Sequence, residues 1–240
     1  MNRNRLKLFA CLSMLIDHVG LVLFPDMEAF RLIGRLAMPI FAFFIGEGCL
    51  HTRNRRAYFL RVFILGIVCQ AVYIVEAVIN GGNGFYLNIL LTFSVAIPLC
   101  YLFIYIEKRL KAEGKDNLAL IGFAMLFAFV FLAERGVTAL CDTAFGIELT
   151  FDYGFAGICL PMFALLGKDK RNRMLFFTYG LLIFCAANYG DNYIWTISTL
   201  LSLILLWLYN GKGGERNLKY FFYAFYPLHL VVIYGIDMLI

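Results

Sequence analysis

The chain has 240 residues, of which 62% are hydrophobic and only 15% charged. Soluble domains average about 45–50% apolar and about 25% charged residues, so this composition excludes a soluble globule, a disordered chain and a disulfide-stapled secreted module. The net charge of +5 does not indicate nucleic-acid binding, because the basic residues lie in short runs between apolar segments. We predict an all-α, polytopic membrane protein, with residues 1–240 forming one transmembrane helical domain.

The apolar segments predict about nine membrane spans. A helix that crosses the bilayer needs about 20 mostly apolar residues, and a count of eight to ten fits the pattern. In chain order the segments are 6–24, 29–50, 61–79, 86–106, 117–134, 148–166, 174–188, 193–209 and 218–239. The first segment contains Asp17 and His18 and lacks a small-residue cleavage site, so it is predicted to be a transmembrane helix and not a removed signal.

The basic residues predict the orientation of these spans. The N-terminus and every second connection together carry all but three of the 21 Lys and Arg residues, and the last of these groups is Lys212, Arg216 and Lys219. Cytoplasmic connections are enriched in Lys and Arg, so the N-terminus is predicted to be cytoplasmic and the C-terminus extracytoplasmic.

Several charged or titratable side chains fall inside the predicted spans, where such groups are costly and usually functional. They are Asp17 and His18 in the first span, Arg31, Arg35 and Glu47 in the second, Asp152 in the sixth and His229 in the ninth. At 1.5 Å per residue, His18 and His229 lie roughly 18 and 16 Å from the cytoplasmic end of their helices. His18, Arg35 and His229 are therefore expected to share one layer of the bundle.

Neighbouring residues on a helix point about 100° apart, so Asp17 and His18 are not expected to pair with each other. One arrangement pairs Asp17 with Arg35 and leaves His18 to meet a substrate or His229. The alternatives are a purely structural salt bridge and core histidines bonded to carbonyl groups. A nucleophilic Ser13 with His and Asp lacks a GxSxG motif, and the three histidines and seven cysteines show no metal-site spacing. No metal is predicted, and the cysteines are expected to be buried small hydrophobes.

The segment 51–61, HTRNRRAYFLR, is the most basic stretch. Its arginines either anchor the protein to anionic lipid or bind the phosphates of a nucleotide-bearing donor, since the guanidinium fork suits phosphate oxygens. The reactive end of such a donor would then reach the layer of His18 and His229. Tyr226 lies three residues before His229 and so shares a helix face with it.

Together these blocks resemble the TraX family. The matching stretches are LKLFACLSMLIDHVGLVLFP at 6–25, RLIGRLAMPIFAFFIGEG at 31–48, HTRNRRAYFLR at 51–61, DYGFAG at 152–157 and FYAFYPLHL at 222–230. TraX proteins are integral membrane proteins of conjugation systems that are linked to N-terminal acetylation of pilin. The YPLHL block and the early intramembrane His are also similar to larger membrane acyltransferases that modify surface sugars with a cytoplasmic acyl donor.

The resemblance implies an acetyltransferase of the bacterial inner membrane that uses acetyl-CoA. His18 would be the general base or a transient acyl carrier, Asp17 and Arg35 would fix the geometry, and His229 with Tyr226 would transfer a proton or stabilise an oxyanion. The remaining expected site residues are Asp152 and Glu47 as support and Arg53, Arg55, Arg56, Tyr58 and Arg61 for the CoA phosphates. The acceptor, a pilin-like peptide, a glycan or a lipid, would approach from the outer side near Arg31, Arg35 and Asp152.

Two other functions fit the same residues. A proton-coupled transporter would use intramembrane Asp, His and Arg equally well, although no internal repeat is visible. A non-enzymatic membrane assembly factor would leave the polar layer as structural pairing only.

Overall fold

The computed structural model describes residues 1–214 and 218–239, which form ten α-helices, one 3₁₀ turn (Asp116–Leu118) and two short strands. The helices are α1 (Arg3–Leu23), α2 (Glu28–Gly34), α3 (Ala37–His51), α4 (Arg55–Asn80), α5 (Ile89–Ala112), α6 (Ala119–Phe145), α7 (Gly154–Phe163), α8 (Lys170–Tyr189), α9 (Tyr193–Trp207) and α10 (Lys219–Asp237). The strands are β1 (Tyr86–Leu87) and β2 (Thr150–Phe151). The predicted helical class is confirmed.

Within the described residues, five stretches are long and apolar enough to cross a membrane, judged by length and composition. They are α1, the combined stretch Glu28–His51, α4, α5 and α6, while α7 and α9 are apolar but shorter. These stretches indicate a helical membrane protein. The count of nine spans and the sides of the two termini stay predictions, and Arg216 of the last basic group lies outside the described residues.

Four of the helices have an asparagine as their N-cap residue. The side-chain oxygen of each accepts a hydrogen bond from a backbone N–H of the first turn, which would otherwise have no partner. These residues are Asn2, Asn54, Asn88 and Asn192. At the other end, Gly81 and Gly146 terminate α4 and α6 with φ of 73° and 63°, a left-handed conformation that favours glycine.

The chain forms two compact units. Unit 1 comprises Met1–Phe43 and Leu181–Ile240, and unit 2 comprises Phe44–Gly180. In unit 1, α1 packs against α2 and α10, and α2 also packs against α9. In unit 2, α5 is central and packs against α4, α6 and α7. The core of unit 2 includes edge-to-face contacts of Phe123 with Phe103 and Phe163, at ring-centroid distances of 5.3 and 4.9 Å.

Six of the seven cysteines are buried, as predicted: Cys11, Cys49, Cys69, Cys100, Cys159 and Cys185. All seven are free thiols, and Cys141 alone among them is not buried. They therefore contribute apolar packing and no covalent cross-link within either unit.

Several predicted segments differ from the structure, and the helix predicted at 117–134 extends to Phe145 as α6. The segment 29–50 is interrupted at Arg35 and Leu36, which form a turn between α2 and α3. The helix predicted at 61–79 begins six residues earlier, because Asn54 caps Arg55 and the following turn. The segment 148–166 is helical only from Gly154, because Thr150 and Phe151 pair in parallel with Tyr86 and Leu87.

Candidate active site

Asp17 is the centre of a charged cluster in unit 1. Its Oδ2 accepts a hydrogen bond from Arg31 Nη1 at 2.8 Å, and its Oδ1 accepts one from Arg35 Nη2 at 3.2 Å. The predicted Asp17–Arg35 pair is present, but Arg31 is the closer partner. Two guanidinium groups therefore share one carboxylate.

Glycine 34 lets α1 and α2 approach closely enough for these ion pairs. A Cβ atom at this position would overlap the Asp17 side chain. The glycine therefore holds open the space that the carboxylate occupies between the two helices.

At the interruption after α2, serine side chains from other helices donate to backbone carbonyl groups, and the Leu36 N–H also donates to the Ile33 carbonyl oxygen at 3.3 Å. Ser13 Oγ donates to the carbonyl oxygen of Ile33 at 2.6 Å, with a longer contact to that of Gly34 at 3.4 Å. Ser198 Oγ donates to the carbonyl oxygen of Leu32. Irregular backbone at membrane depth is tolerated only when its polar groups are satisfied in this way. Ser13 is thus a structural donor, and the structure does not bring it to His18 as a nucleophile.

Arg35 is held on several sides and is only 4% exposed. Its Nε donates to the carbonyl oxygen of Arg31 at 3.3 Å, and its guanidinium lies over the Trp195 ring at 4.6 Å from the centroid. The Trp195 indole N–H in turn donates to Glu28 Oε1 at 2.7 Å. A cation stacked on indole and paired with carboxylate is a stable way to bury a guanidinium.

The guanidinium of Arg31 is less enclosed. Its side chain is 21% exposed, and it donates only to the carboxylate and backbone oxygens of Asp17 among the described residues. Some of its five N–H groups are therefore available to another acceptor.

Two histidines meet beside this cluster. His18 Nδ1 lies 2.7 Å from His229 Nε2, although the two residues are 211 positions apart in the chain. His229 Nδ1 lies 2.9 Å from the carbonyl oxygen of Phe225, and the Phe225 ring stacks on the imidazole at 5.1 Å between centroids. Tyr226 packs edge-on against His229 at 5.7 Å. The sequence did not decide whether His18 meets His229 or only a substrate, and the structure shows that the two histidines are in contact.

His229 is buried at 6% exposure, whereas His18 is partly exposed. His18 directly follows Asp17, the carboxylate with which both Arg31 and Arg35 are paired. The site thus combines a partly exposed histidine, a buried histidine and two guanidinium groups, which suits a reaction that builds up negative charge next to a base.

Asp152 belongs to unit 2 and lies outside any helix, contrary to its predicted place in the sixth span. The hydroxyl of Tyr86 donates to Asp152 Oδ1 at 2.6 Å, and Thr92 Oγ1 donates to the Asp152 carbonyl oxygen at 3.2 Å. Burial of the phenol and the adjacent carboxylate raise the pKa of Tyr86, so that it stays protonated and continues to donate. Tyr153 follows with φ of 60°, a left-handed conformation that is uncommon for a residue with a side chain.

The basic segment also lies in unit 2. Arg53 is in the connection after α3, and Arg55, Arg56, Tyr58 and Arg61 form the first two turns of α4. The three residues Arg53, Arg55 and Arg56 are exposed, and the Arg55 guanidinium lies over the Tyr101 ring at 5.0 Å. The Tyr58 hydroxyl donates to the carbonyl oxygen of Ile45 at 3.4 Å, and the buried Nε of Arg61 has no hydrogen-bond partner within the described chain. Glu47 is buried on α3 at 6% exposure.

The predicted site residues therefore separate between the two units. Unit 1 brings together Asp17, His18, Arg35, Tyr226 and His229, whereas unit 2 contains Glu47, Asp152, Arg53, Arg55, Arg56, Tyr58 and Arg61. The prediction placed Arg31 only near the approach of the acceptor, and it did not include Glu28 or Trp195 among the site residues. Arg31 had a sequence signal, because residues four apart share a helix face and Arg31 precedes Arg35 by four. No local pattern pointed to Trp195.

Comparison with known proteins adds an independent finding. Residues 2–237 match the family described as TraX protein. The probable fimbrial assembly protein FimC, serogroup H1, of Dichelobacter nodosus is 27% identical over 252 residues, covering 98% of this chain and 95% of that protein. An uncharacterised Rickettsia prowazekii (strain Madrid E) protein is 38% identical over 68 residues, covering 28% of this chain and 25% of that protein. No solved structure matches significantly.

Proposed function

Since the chain belongs to the TraX family, as its motifs predicted, we propose that it is a membrane-embedded acyltransferase that moves an acetyl group from acetyl-CoA to an amine or hydroxyl acceptor. The observation that carries the proposal is the contact of His18 with His229 beside the Asp17–Arg31–Arg35 cluster. Neither histidine is needed to neutralise the charge of Asp17, because Arg31 and Arg35 already pair with its carboxylate. The imidazole pair is thus free to move protons.

In the proposed reaction, an unshared electron pair of a His18 nitrogen takes a proton from the acceptor N–H or O–H. The acceptor atom forms a bond to the thioester carbonyl carbon, whose oxygen becomes negatively charged in the tetrahedral intermediate. The carbonyl re-forms, the carbon–sulfur bond breaks, and the departing thiolate takes the proton from the His18 imidazolium. The products are the acetylated acceptor and free CoA thiol. The alternative scheme is covalent catalysis, in which His18 carries the acetyl group transiently between acetyl-CoA and the acceptor.

The two arginines take different parts in this proposal. Arg35 is enclosed by Asp17, Trp195 and backbone, so we assign it to holding the carboxylate and the interrupted helix in place. Arg31 has unengaged N–H groups and is paired with Asp17, the residue next to His18, so we assign it to compensating the negative charge of the intermediate.

The donor phosphates are assigned to the exposed arginines of unit 2, Arg53, Arg55 and Arg56, with Tyr58 and Arg61 as supporting residues. Exposed guanidinium groups on and just before a helix N-terminus favour anions, because the helix dipole adds to their charge. Weakened binding of acetyl-CoA by a triple Arg→Gln variant would support this role, whereas unchanged binding would return the segment to a lipid anchor.

The acceptor is proposed to be a fimbrial or pilin-like subunit, because a relative that aligns over nearly the whole chain is named as a fimbrial assembly protein. We propose the bacterial inner membrane as the location of this reaction. A glycan or a lipid acceptor would carry the same amine or hydroxyl chemistry.

The test is acetyl transfer by the purified full-length protein in lipid vesicles. Labelled acetyl-CoA is added with membrane extract, and label is followed into peptide, glycan and lipid fractions. We expect transfer by the native protein and a loss of roughly 100-fold or more in His18→Ala, since general base catalysis contributes about that much. The matched control is His51→Ala at the exposed end of α3. Normal transfer by His18→Ala would refute the assignment.

The name of the same relative favours one second candidate, an assembly factor without catalytic activity. It predicts that His18→Ala still supports fimbrial assembly in cells that lack the native protein. The acyltransferase predicts that assembly or subunit acetylation fails in that variant while protein level and unfolding temperature stay unchanged.

A further inference from the structure

The hydrogen-bond partners of the two histidines define where their protons lie. A carbonyl oxygen only accepts, so the contact with Phe225 requires a proton on His229 Nδ1. A neutral imidazole has one N–H, which leaves His229 Nε2 as an acceptor. That nitrogen lies 2.7 Å from His18 Nδ1, which must therefore be the donor. His18 Nε2 is then left with an unshared electron pair.

This proton arrangement holds for a neutral pair, which is the less costly state for two adjacent imidazoles in an apolar bundle. The surroundings keep the two rings in register. The imidazoles lie nearly parallel, with 9° between their planes, and the Phe225 ring stacks on His229 with 11° between their planes. His18 Nε2 has no hydrogen-bond partner within the described part of the chain, and His18 is the more exposed of the two residues.

We infer that His229 is a positioning residue that holds His18 in the Nδ1–H tautomer and so presents Nε2 as the base. This inference rests on the proposed function for the role of the base, while the tautomer itself does not depend on catalysis. It replaces the expectation that His229 stabilises an oxyanion, because both nitrogens of His229 are already engaged. It also assigns the proton path, since the proton enters and leaves at His18 Nε2 while Nδ1–H continues to donate to His229.

The same contact stabilises the charged form of His18 during the reaction. When Nε2 takes a proton from the acceptor, the N–H of the imidazolium at Nδ1 becomes a stronger donor to the neutral His229 acceptor. The Phe225 carbonyl holds the far side of His229 in the orientation that this requires. Loss of the hydrogen-bond acceptor at position 229 should therefore lower kcat strongly and change the affinity for substrate little.

The first experiment reads the tautomer without any reaction. The full chain is labelled with ¹⁵N-histidine, placed in lipid bilayers and studied by solid-state NMR, where three histidines give a small set of ring signals. His18→Gln assigns its signals by their disappearance. We expect a protonated Nδ1 and an unprotonated Nε2 for His18, opposite to the preference of free histidine in water. A protonated Nε2 in the native protein would overturn the inference.

The second experiment compares His229→Gln with His229→Phe. The glutamine amide oxygen can accept from His18 Nδ1–H and should preserve the tautomer and most of the transfer rate. Phenylalanine retains the ring but offers no acceptor, so His18 should shift towards the Nε2–H form, and kcat should fall by roughly 100-fold or more at nearly unchanged KM. Equal kcat for both variants would contradict the positioning role.

The two hypotheses fail in different ways. If the native protein transfers no acetyl group, the proposed function fails, and the NMR signals still decide the tautomer. If it transfers acetyl groups but His18 has a protonated Nε2, only the inference fails. Native unfolding temperatures in the Gln and Phe variants exclude a loss of fold as the cause of any change.

Discussion

Unit 1 and unit 2 each contain a carboxylate that accepts hydrogen bonds from side chains. In unit 1 it lies on a helix, and in unit 2 it follows the paired strands β1 and β2. Asp17 of unit 1 lies within a helix, is balanced by two arginines and has a histidine pair beside it. Asp152 of unit 2 lies after a short strand and accepts from a tyrosine hydroxyl. The first arrangement combines fixed charge with a free imidazole nitrogen, and the second provides a local structural clamp. The contrast locates the proposed base chemistry in unit 1.

The largest expected effect on stability is from Asp17→Ala. It would leave Arg35 buried beside Arg31 without a carboxylate, and removing one partner of a buried pair costs about 3–5 kcal/mol. The free energy of unfolding in SDS measures this loss. Glu113→Ala is the control, because the Glu113–Lys115 pair is about half exposed and should contribute almost nothing. Equal stability of both variants would show that the charged cluster of unit 1 is not a structural element.

Gly34→Ala tests whether α1 and α2 need their close approach. The added Cβ atom would overlap the Asp17 carboxylate, and overpacking of this kind costs about 1–3 kcal/mol. Gly235→Ala in α10 meets open space and serves as the control. We expect a lower unfolding midpoint for Gly34→Ala only, and equal midpoints would mean that the carboxylate moves aside without cost.

Ser13→Ala tests the donor to the interrupted helix. Loss of its hydroxyl would leave the Ile33 carbonyl without that donor at a cost of about 1–2 kcal/mol. The control is Ser202→Ala, because the Ser202 hydroxyl is buried without a hydrogen-bond partner among the described residues and its removal should be neutral or stabilising. A thiol-reactive fluorophore that reports exposure of the buried cysteines can measure both unfolding temperatures.

The smallest effect is expected from Tyr86→Phe in unit 2. It removes the hydrogen bond to Asp152 but retains the ring, so the loss should be about 1 kcal/mol. Tyr105→Phe on the exposed face of α5 is the matched control. The rate of acetyl transfer should remain within about twofold of native in both variants. A loss of about 1 kcal/mol in the free energy of unfolding leaves most of the protein folded. A selective loss of transfer in Tyr86→Phe would add the Tyr86–Asp152 contact to the functional site.

The sequence predicted the polar layer of unit 1 because charged groups are conspicuous within apolar segments. Asp17, His18, Arg35 and His229 were each identifiable by this criterion alone, and helical rise was enough to expect His18 and His229 at similar depth. The roles of the individual partners were less predictable. The sequence identified Arg31 as a charge within a span but did not pair it with Asp17. In the structure, the distance from Arg31 to the Asp17 carboxylate is shorter than that from Arg35.

The helix interruption and the place of Asp152 were not predictable from hydropathy. Arg35 and Leu36 lie inside a continuous apolar pattern, and the turn is stable there because Ser13 and Ser198 supply donors from distant parts of the chain. Thr150 and Phe151 look like the beginning of an apolar span, but pairing with Tyr86 and Leu87 draws them into a strand. In both cases a long-range hydrogen bond overrides a local helical preference.

By itself, the sequence determined the helical membrane class, the family and the residue types available for chemistry, because apolar length, charge and local motifs are encoded along the chain. Only the tertiary structure decided that Arg31 pairs most closely with Asp17 and that His18 meets His229 through one particular pair of nitrogens. These facts depend on how helices rotate and approach each other, and hydropathy contains no information about that angle. The nitrogen that we propose as the base is identified by a carbonyl oxygen on α10, more than 200 residues from His18 in the chain.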